Sequence, residues 1–214
     1  MENMLGILAA DERVRAERLR LPKDQADFIL TRGMLRNILS RYLSTGPKEL
    51  RFRYTKYGKP YLTGLPGVHP LRFNVSHSKG YALFAIASGR QVGVDLEWIQ
   101  PDFASGEIAE RFFTRGEVAA LRSLPRHLHN AAFFDYWTRK EAYIKAVGKG
   151  LSIPLDQFEV SLKSEDTVVL LNANGKPQEA THWILRQLYP LPGFAAALAV
   201  EGTRWKLRCW HSPH

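Results

Sequence analysis

Apolar positions in the first half of the chain follow a helical pattern that gives way to alternating strands. Between Asp24 and Leu43 they return at spacings of three and four, which predicts an amphipathic helix ending at Gly46 and Pro47. The segments ELRFRY, LRFNVSHS, YALFAIAS and QVGVDLEW follow as strands, and GR between the last two predicts a tight hairpin. The N-terminal apolar patch MLGIL has no basic leader, so we expect a first strand there and not a signal peptide.

The second half repeats this order of elements. The segment SGEIAERFFTRGEVAALRSL has a helical pattern with a break near Thr114, and another helix is predicted from about Asn130 to Val147. The strand-like segments FEVSL, TVVLL, HWILRQLY, FAAALAV and WKLRCW come after it. Helices followed by antiparallel strands in both halves predict an α+β fold that divides near residues 98–104, although the halves share no visible residue-level repeat.

Composition and charge then narrow the class of protein. The 214 residues are 45% hydrophobic, enough for a core, and the longest apolar runs are too short to cross a bilayer. The net charge is +9, and residues 1–60 hold 13 Lys and Arg against 7 Asp and Glu. Such a field suits a nucleic acid, a polyanionic small molecule or an acidic protein. Cys209 is the only cysteine in the sequence, which excludes an internal disulfide and agrees with a reducing cytosol. We expect Cys209 to be a small core residue.

Two carboxylates lie two positions apart in the strand QVGVDLEW. Asp95 and Glu97 therefore point to one face, with Cα atoms roughly 6.5–7 Å apart. Two ionised carboxylates so placed repel each other unless a proton or a cation intervenes, and Mg²⁺ prefers such oxygen ligands. The alternative is that the pair is exposed on an edge strand or is paired with an arginine.

A third acid lies on an apolar stripe of the predicted helix FFDYWTRKEAYIKAVGKG. Glu141 shares this stripe with Phe134 and Trp137, and Lys145 follows one turn later. The bland interpretation is a surface Glu–Lys pair worth a few tenths of a kcal/mol, roughly 0.2–0.5. Beside two aromatic residues a carboxylate is costly without a charged partner, so Glu141 is a candidate third ligand of the same metal. The GKG that follows is typical of a helix end.

Two polar turns supply candidate phosphate contacts. Ser76 and His77 stand at the end of a strand, and Lys59 lies between Gly58 and Pro60 in YGKPY. Hydroxyl, imidazole and ammonium groups beside a divalent cation would suit a pyrophosphate. A local hydrogen-bonded turn and a solvated lysine remain the simpler explanations of each piece.

The motifs GKP, NVSHS, VGVDLE and FFDYWTRKEAYIKAVGKGL, in this order and with RFFTRGE between the last two, resemble those of the 4′-phosphopantetheinyl transferases of the Sfp type. The match runs from about Tyr54 to Phe158, roughly half of the chain, and the first 50 residues match only loosely. The resemblance implies a pseudodimer of two α+β halves, residues 1–100 with the coenzyme A contacts and 101–214 with the WTRKEAYIKAVGKG helix. It implies that coenzyme A and Mg²⁺, or Mn²⁺, bind between the halves.

The resemblance also implies the reaction and its residues. Phosphopantetheine would move from coenzyme A to a serine of an acidic apo acyl or peptidyl carrier protein, giving adenosine 3′,5′-bisphosphate. The metal ligands implied are Asp95, Glu97 and Glu141. The implied coenzyme A contacts are Lys145, His77, Ser76 and Lys59. The implied contacts of the adenosine 3′-phosphate are Arg15 and Arg18. Two further residues, Lys140 and Glu117, match family positions whose role is open. Glu141 is the implied base, acting directly or through water. A cytoplasmic monomer without a membrane or nucleic-acid partner is expected.

A basic, metal-dependent nucleic-acid-binding protein or nuclease is the competing interpretation. The charge and the aromatic strand LRFRYTKY favour it. The acid triad opposes it, because three carboxylates repel a phosphate backbone unless they hold a metal.

Overall fold

The structure is a computed structural model that describes residues 2–63, 70–101, 103, 105–161, 170–173 and 180–211. Its helices, in chain order, are α1 Glu2–Ile7, α2 Ala10–Glu17, α3 Pro22–Leu43, α4 Ser105–Phe112, α5 Arg115–Ser123 and α6 His129–Val147. Its strands are β1 Arg51–Tyr54, β2 Pro60–Thr63, β3 Leu71–Ser78, β4 Tyr81–Ser88, β5 Val92–Trp98, β6 Phe158–Val160, β7 Leu170–Ala173, β8 Trp183–Leu188 and β9 Phe194–Glu201.

Within the part of the chain that the structure describes, all strand pairs are antiparallel. They form the two-stranded ribbons β1–β2, β3–β4 and β6–β7 and a three-stranded sheet in the order β5–β9–β8. The α+β class predicted from the sequence is therefore confirmed. The division at residue 100 stays a prediction, and the three-stranded sheet takes its strands from both sides of it.

Helix α6 lies at the centre of the main core. It packs on β5 and β9, and its buried residues include Phe133, Ala142 and Ile144. Strand β4 lies between two cores, because Phe84 and Ile86 pack toward the α3 cluster whereas Ala85 packs with β5 and β9. The alternation of a strand thus lets β4 join the N-terminal helix layer to the central sheet.

The break predicted near Thr114 is present and has a clear cause. Thr114 is the N-cap of α5, where its hydroxyl accepts the N–H of Glu117 at 3.2 Å and the Glu117 carboxylate accepts the N–H of Thr114 at 2.9 Å. This reciprocal capping satisfies two N–H groups at the start of α5 and separates it from α4.

Four expectations were wrong. The N-terminal patch is helix α1 and not a strand, because Met4 packs against Gly33 of α3. The hairpin predicted between β4 and β5 does not form, since β5 pairs with β9. The segment WKLRCW is not a strand. Trp205 and Leu207 alternate toward the sheet without pairing to an edge, and Cys209 is exposed, contrary to the expected core position.

The remaining strand predictions hold where residues are described. The segment TVVLL lies partly outside the described residues, and β7 begins at Leu170. Among the helices of the described ranges, none is both long and apolar enough to cross a bilayer.

Candidate active site

Strand β5 lies directly on helix α6, and Gly93 allows this contact. A β-carbon on Gly93 would lie 2.1 Å from the carbonyl oxygen of Ala142 and 2.3 Å from the amide nitrogen of Ala146. Asp95 and Glu97 follow Gly93 at the strand period, so both point toward the same side of β5 as the helix. The glycine of VGVDLE therefore brings the two acids against the helix that carries Glu141 and Lys145.

Strand β3 binds the other edge of β5 through side chains. Every second residue of β5 donates its backbone N–H to a side chain of β3. Val94 donates to Asn74 at 2.9 Å, Leu96 to Ser76 at 3.2 Å and Trp98 to Ser78 at 3.1 Å. The motif NVSHS therefore satisfies the free edge of β5 and fixes the position of the acidic strand.

Asp95 is the most enclosed acid of the site, with 1% of its surface exposed. Its Oδ1 accepts hydrogen bonds from the Ser76 hydroxyl at 2.9 Å and from the Lys145 ammonium at 2.5 Å, and Lys145 also donates to Ser76 at 3.1 Å. Its Oδ2 is buried and has no hydrogen-bond partner. An unpaired carboxylate oxygen of this kind is costly and is the natural position for a further cation.

The surroundings of the other two acids disfavour their charged forms. Burial, and then repulsion from Asp95, raises the pKa of Glu97 to about 7, and the Lys145 charge opposes this shift. Burial and Asp95 also raise the pKa of Glu141, again against Lys145. Lys145 is thus the cation that partly offsets three acids.

The donor set fits a divalent metal ion in its chemistry. Asp95, Glu97 and Glu141 supply carboxylate oxygens, and a cation beside the free Oδ2 of Asp95 would relieve the repulsion among them. Within the described residues, no three acidic, histidine or cysteine side chains are positioned to hold a metal as they stand. The Lys145 ammonium is the cation that lies against Oδ1 of Asp95 in this arrangement.

The two residues predicted as phosphate contacts in NVSHS lie on different sides of β3. Ser76 is buried and contacts Asp95 and Lys145, whereas His77 is exposed on the opposite face of the strand. Adjacent strand residues point to opposite faces, so the structure unites only Ser76 with the acids.

Lys59 is near the end of α6 and is engaged by the protein itself. Its ammonium donates to the carbonyl of Ala146 at 2.8 Å, the carbonyl of Val92 at 3.2 Å and the side chain of Gln91 at 3.4 Å. A cavity of about 340 Å³ lies beside it and is also lined by Arg72 and Tyr61.

Arg15 of α2 and Arg18, the residue that follows this helix, are exposed in the N-terminal half. The Arg15 guanidinium lies 5.5 Å from the ring centre of Phe28 and 5.7 Å from that of Tyr54. Arg32 of α3 is buried, lies 3.5 Å from a carboxylate oxygen of Glu12 and leaves its Nη1 without a partner. Arg32 was missed as a site candidate because a helical pattern does not reveal which arginine is covered by another helix.

Lys140 and Glu117 form a buried pair away from the three acids. The Lys140 ammonium lies 2.8 Å from Glu117 and donates to the carbonyls of Leu155 and Phe158, while Glu117 accepts the N–H of Val160. These contacts join α5, α6 and β6 and give the pair a structural role.

An aromatic cavity of about 600 Å³ begins beside Glu97. Its lining includes Phe103, Phe112, Phe134 and Trp137. Since Glu97 is one of the three acids, an extended ligand bound there through a charged group could continue into an apolar space.

Two family models of known proteins match most of the chain. The family model described as the 4′-phosphopantetheinyl transferase superfamily matches residues 91–199, and the model described as 4′-phosphopantetheinyl transferase, N-terminal, matches residues 1–89. The first match contains β5, α6 and all three acids. The two matches define a group-transfer enzyme.

The chain belongs to the 4′-phosphopantetheinyl transferase family, which confirms the resemblance in its motifs. It is 38% identical to the 4′-phosphopantetheinyl transferase HetI of Nostoc sp. over 211 residues, which cover 99% of this chain and 86% of the relative. It is 33% identical to the 4′-phosphopantetheinyl transferase Sfp of Bacillus subtilis over 167 residues, which cover 78% and 72%.

A solved structure of Thermotoga maritima holo-[acyl-carrier-protein] synthase also aligns with part of the chain. It has a TM-score of 0.41 and 22% identity, over 53% of this chain and 64% of that one.

Proposed function

We propose that this enzyme transfers the 4′-phosphopantetheine group of coenzyme A to a serine of an apo acyl or peptidyl carrier protein, in a reaction that depends on Mg²⁺. Family membership selects this function over the nucleic-acid alternative. The observation that carries the proposal is the convergence of Asp95 and Lys145 at the β5–α6 contact, with a buried carboxylate oxygen that has no partner.

Asp95, Glu97 and Glu141 would hold the metal ion, and oxygen ligands suit Mg²⁺ and Mn²⁺ alike. When bound, the ion would neutralise charge on the pyrophosphate and on the group that departs. The raised pKa values of Glu97 and Glu141 support this assignment, because repulsion from Asp95 contributes to both and a cation would reverse it.

The transfer is a displacement at phosphorus. The serine hydroxyl attacks the β-phosphorus of coenzyme A, a new P–O bond forms, and the bond to the bridging oxygen of the diphosphate breaks to release adenosine 3′,5′-bisphosphate. Glu141 takes the hydroxyl proton, directly or through water. Lys145, with 30% of its side chain exposed, can turn from Asp95 toward the departing phosphate.

The other contacts with coenzyme A are assigned by charge and position. Ser76 borders Lys145 and could donate to a phosphate oxygen after the lysine moves. His77 is exposed beside it in sequence, and Arg15 and Arg18 offer exposed cations for the adenosine 3′-phosphate. The buried Arg32, whose Nη1 has no partner, is added to this set.

The aromatic cavity next to Glu97 is the proposed space for the pantetheine arm, which is uncharged and extended. Arg111 of α4 lines this cavity and is exposed, and Arg115 is exposed at the start of α5. These cations complement an acidic carrier protein and would steer it toward the acids. Action as a monomer in the cytoplasm completes the proposal.

Intact mass of an apo carrier protein after incubation with this enzyme, coenzyme A and Mg²⁺ tests the function. We expect the gain of one phosphopantetheine, lost when EDTA is added. The absence of any gain across peptidyl, polyketide and fatty-acid carriers, together with the absence of coenzyme A binding by calorimetry, would contradict the proposal.

A further inference from the structure

We propose that Lys59 is a positioning residue, which holds helix α6 on strand β5 and so sets the spacing between the acids of the strand and those of the helix. The inference rests on the proposed function, and it gives Lys59 a different role from the coenzyme A contact implied by the family resemblance. Three groups of observations support it, and all lie at the end of α6 opposite the aromatic cavity.

The first is the set of hydrogen bonds made by the Lys59 ammonium. It donates to the carbonyl of Ala146, in the last turn of α6, and to the carbonyl of Val92, the first residue of β5. With the Gln91 side chain as third acceptor, each of its three N–H groups has a partner in the protein. The carbonyls of a last helical turn lack partners in the helix and favour a cation, so the lysine caps α6 while it binds β5.

The second is the absence of side chains where Lys59 and α6 approach their neighbours. A β-carbon on Gly148, which caps α6 at φ +76°, would lie 2.8 Å from Cδ of Lys59. A β-carbon on Gly93 would overlap the backbone of Ala142 and Ala146. Both close approaches are at the end of α6, and the three residues are here called the clasp: Lys59, Gly93 and Gly148.

The third is the rigidity of the turn that presents Lys59. The backbone N–H of Lys59 donates to the Thr55 hydroxyl at 3.1 Å, its carbonyl accepts the N–H of Thr55 at 2.9 Å, and Gly58 turns at φ +84°. Pro60, the residue after Lys59, has its φ angle fixed by the proline ring. The lysine thus extends from an ordered β1–β2 turn.

The clasp lies next to the metal ligands in both elements. Asp95 follows Gly93 by two residues, and Lys145 immediately precedes Ala146, the residue that Lys59 caps. A shift of α6 along β5 would change the separation of Asp95 from Glu141 and Lys145. Displacements near 1 Å in a catalytic site can reduce turnover by about 10²-fold, and loss of supporting contacts typically weakens metal binding by about 10–100-fold.

The test compares Lys59→Met, Lys59→Arg and the matched control Lys56→Met, an exposed lysine of the same turn. Mn²⁺ affinity is measured without coenzyme A by electron paramagnetic resonance, coenzyme A affinity by calorimetry, and kcat and KM by carrier modification. For Lys59→Met we expect Mn²⁺ affinity to fall by about 10-fold or more, with a lower kcat and KM for coenzyme A within about 3-fold. The control should not differ from the wild type.

Lys59→Arg separates a clasp from a charge contact. A phosphate contact would accept arginine, whereas the slot beside Gly148 and the carbonyl acceptors fit an ammonium, so we expect Arg to behave like Met. Normal Mn²⁺ affinity in Lys59→Met with a raised KM for coenzyme A, or rescue by Arg, would overturn the inference. If Lys59→Met does not fold, Lys59→Arg decides. A wild type that neither modifies a carrier nor binds coenzyme A would contradict the proposed function, and the Mn²⁺ comparison would still decide the role of Lys59.

Discussion

The Lys145 ammonium lies 2.5 Å from Oδ1 of Asp95, and this contact joins α6 to β5 within the acid cluster. Only 2% of the Asp95 side chain is exposed, against 30% of the Lys145 side chain. The aspartate is therefore fixed, whereas the lysine has access to solvent and can move. The second oxygen of Asp95, Oδ2, has no partner. Asp95 is therefore suited to bind a metal ion while Lys145 turns toward a phosphate.

Replacement of Asp95 should abolish transfer. Asp95→Ala removes both the buried oxygen and the acceptor of Lys145, so we expect turnover to fall by on the order of 10³-fold or more and Mg²⁺ to lose its stabilising effect. Carrier mass and thermal unfolding with and without Mg²⁺ measure the two effects. Asp156→Ala, at an exposed position, is the control. An Asp95→Ala enzyme that still responds to Mg²⁺ would show that the metal binds elsewhere.

Glu141→Gln should separate binding from chemistry. The amide keeps the size of the side chain but cannot take a proton, so we expect coenzyme A binding to be partly retained and transfer to be lost. Calorimetry and single-turnover transfer at saturating carrier measure these two properties. Glu17→Gln makes the same chemical change at an exposed helical position. A near-normal kcat for Glu141→Gln would rule out this residue as the base.

The metal-free protein should lose stability as the pH rises through about 7. Glu97 has its pKa raised to about 7 by burial and by Asp95, against an ordinary value of 4.5, so the folded state binds the proton more tightly than the unfolded state. The stabilisation is complete below 4.5 and disappears as the pH passes 7. Metal binding needs the ionised carboxylate, so Mg²⁺ affinity should rise over the same interval, with release of protons.

Thermal unfolding from pH 4.5 to 8, in EDTA and in Mg²⁺, measures both trends. Glu97→Gln should flatten the curve in EDTA, because its amide does not titrate. If Glu97→Gln keeps the pH dependence of the wild type, another group is responsible for it.

Local pattern accounts for most of the predicted fold. The spacing of apolar residues located α3 and α6 and indicated the break near Thr114. The pairing of β5 with β9 was not predictable in this way, because its partners lie about a hundred residues apart and the hairpin signal at Gly89 was local. The segment WKLRCW was wrongly predicted as a strand for a similar reason. Its alternating apolar residues show that one face is buried, as for Trp205 and Leu207, but alternation does not show that a segment pairs with a neighbouring strand.

The site was predictable in its acids and less so in its supporting residues. The strand period placed Asp95 and Glu97 together, and the structure adds electrostatic coupling among them and Glu141. The role of Gly93 depends on a close approach between backbones, and that of Ser76 and Ser78 on N–H groups left free by strand pairing. Neither condition is visible before the elements are packed.

The motif residue Lys140 should matter for stability and not for chemistry. Its side chain is fully buried against Glu117, and Lys140→Ala would leave that carboxylate without its cation. Loss of one partner of a buried pair costs about 3–5 kcal/mol, whereas Arg122→Ala, in the exposed pair with Glu110, should cost about 0–1 kcal/mol. Urea unfolding measures both changes, and coenzyme A affinity of the folded Lys140→Ala protein should stay within about 3-fold of the wild type, as expected for a residue that does not touch the ligand. A small loss of stability together with a large loss of kcat would instead assign Lys140 to the reaction.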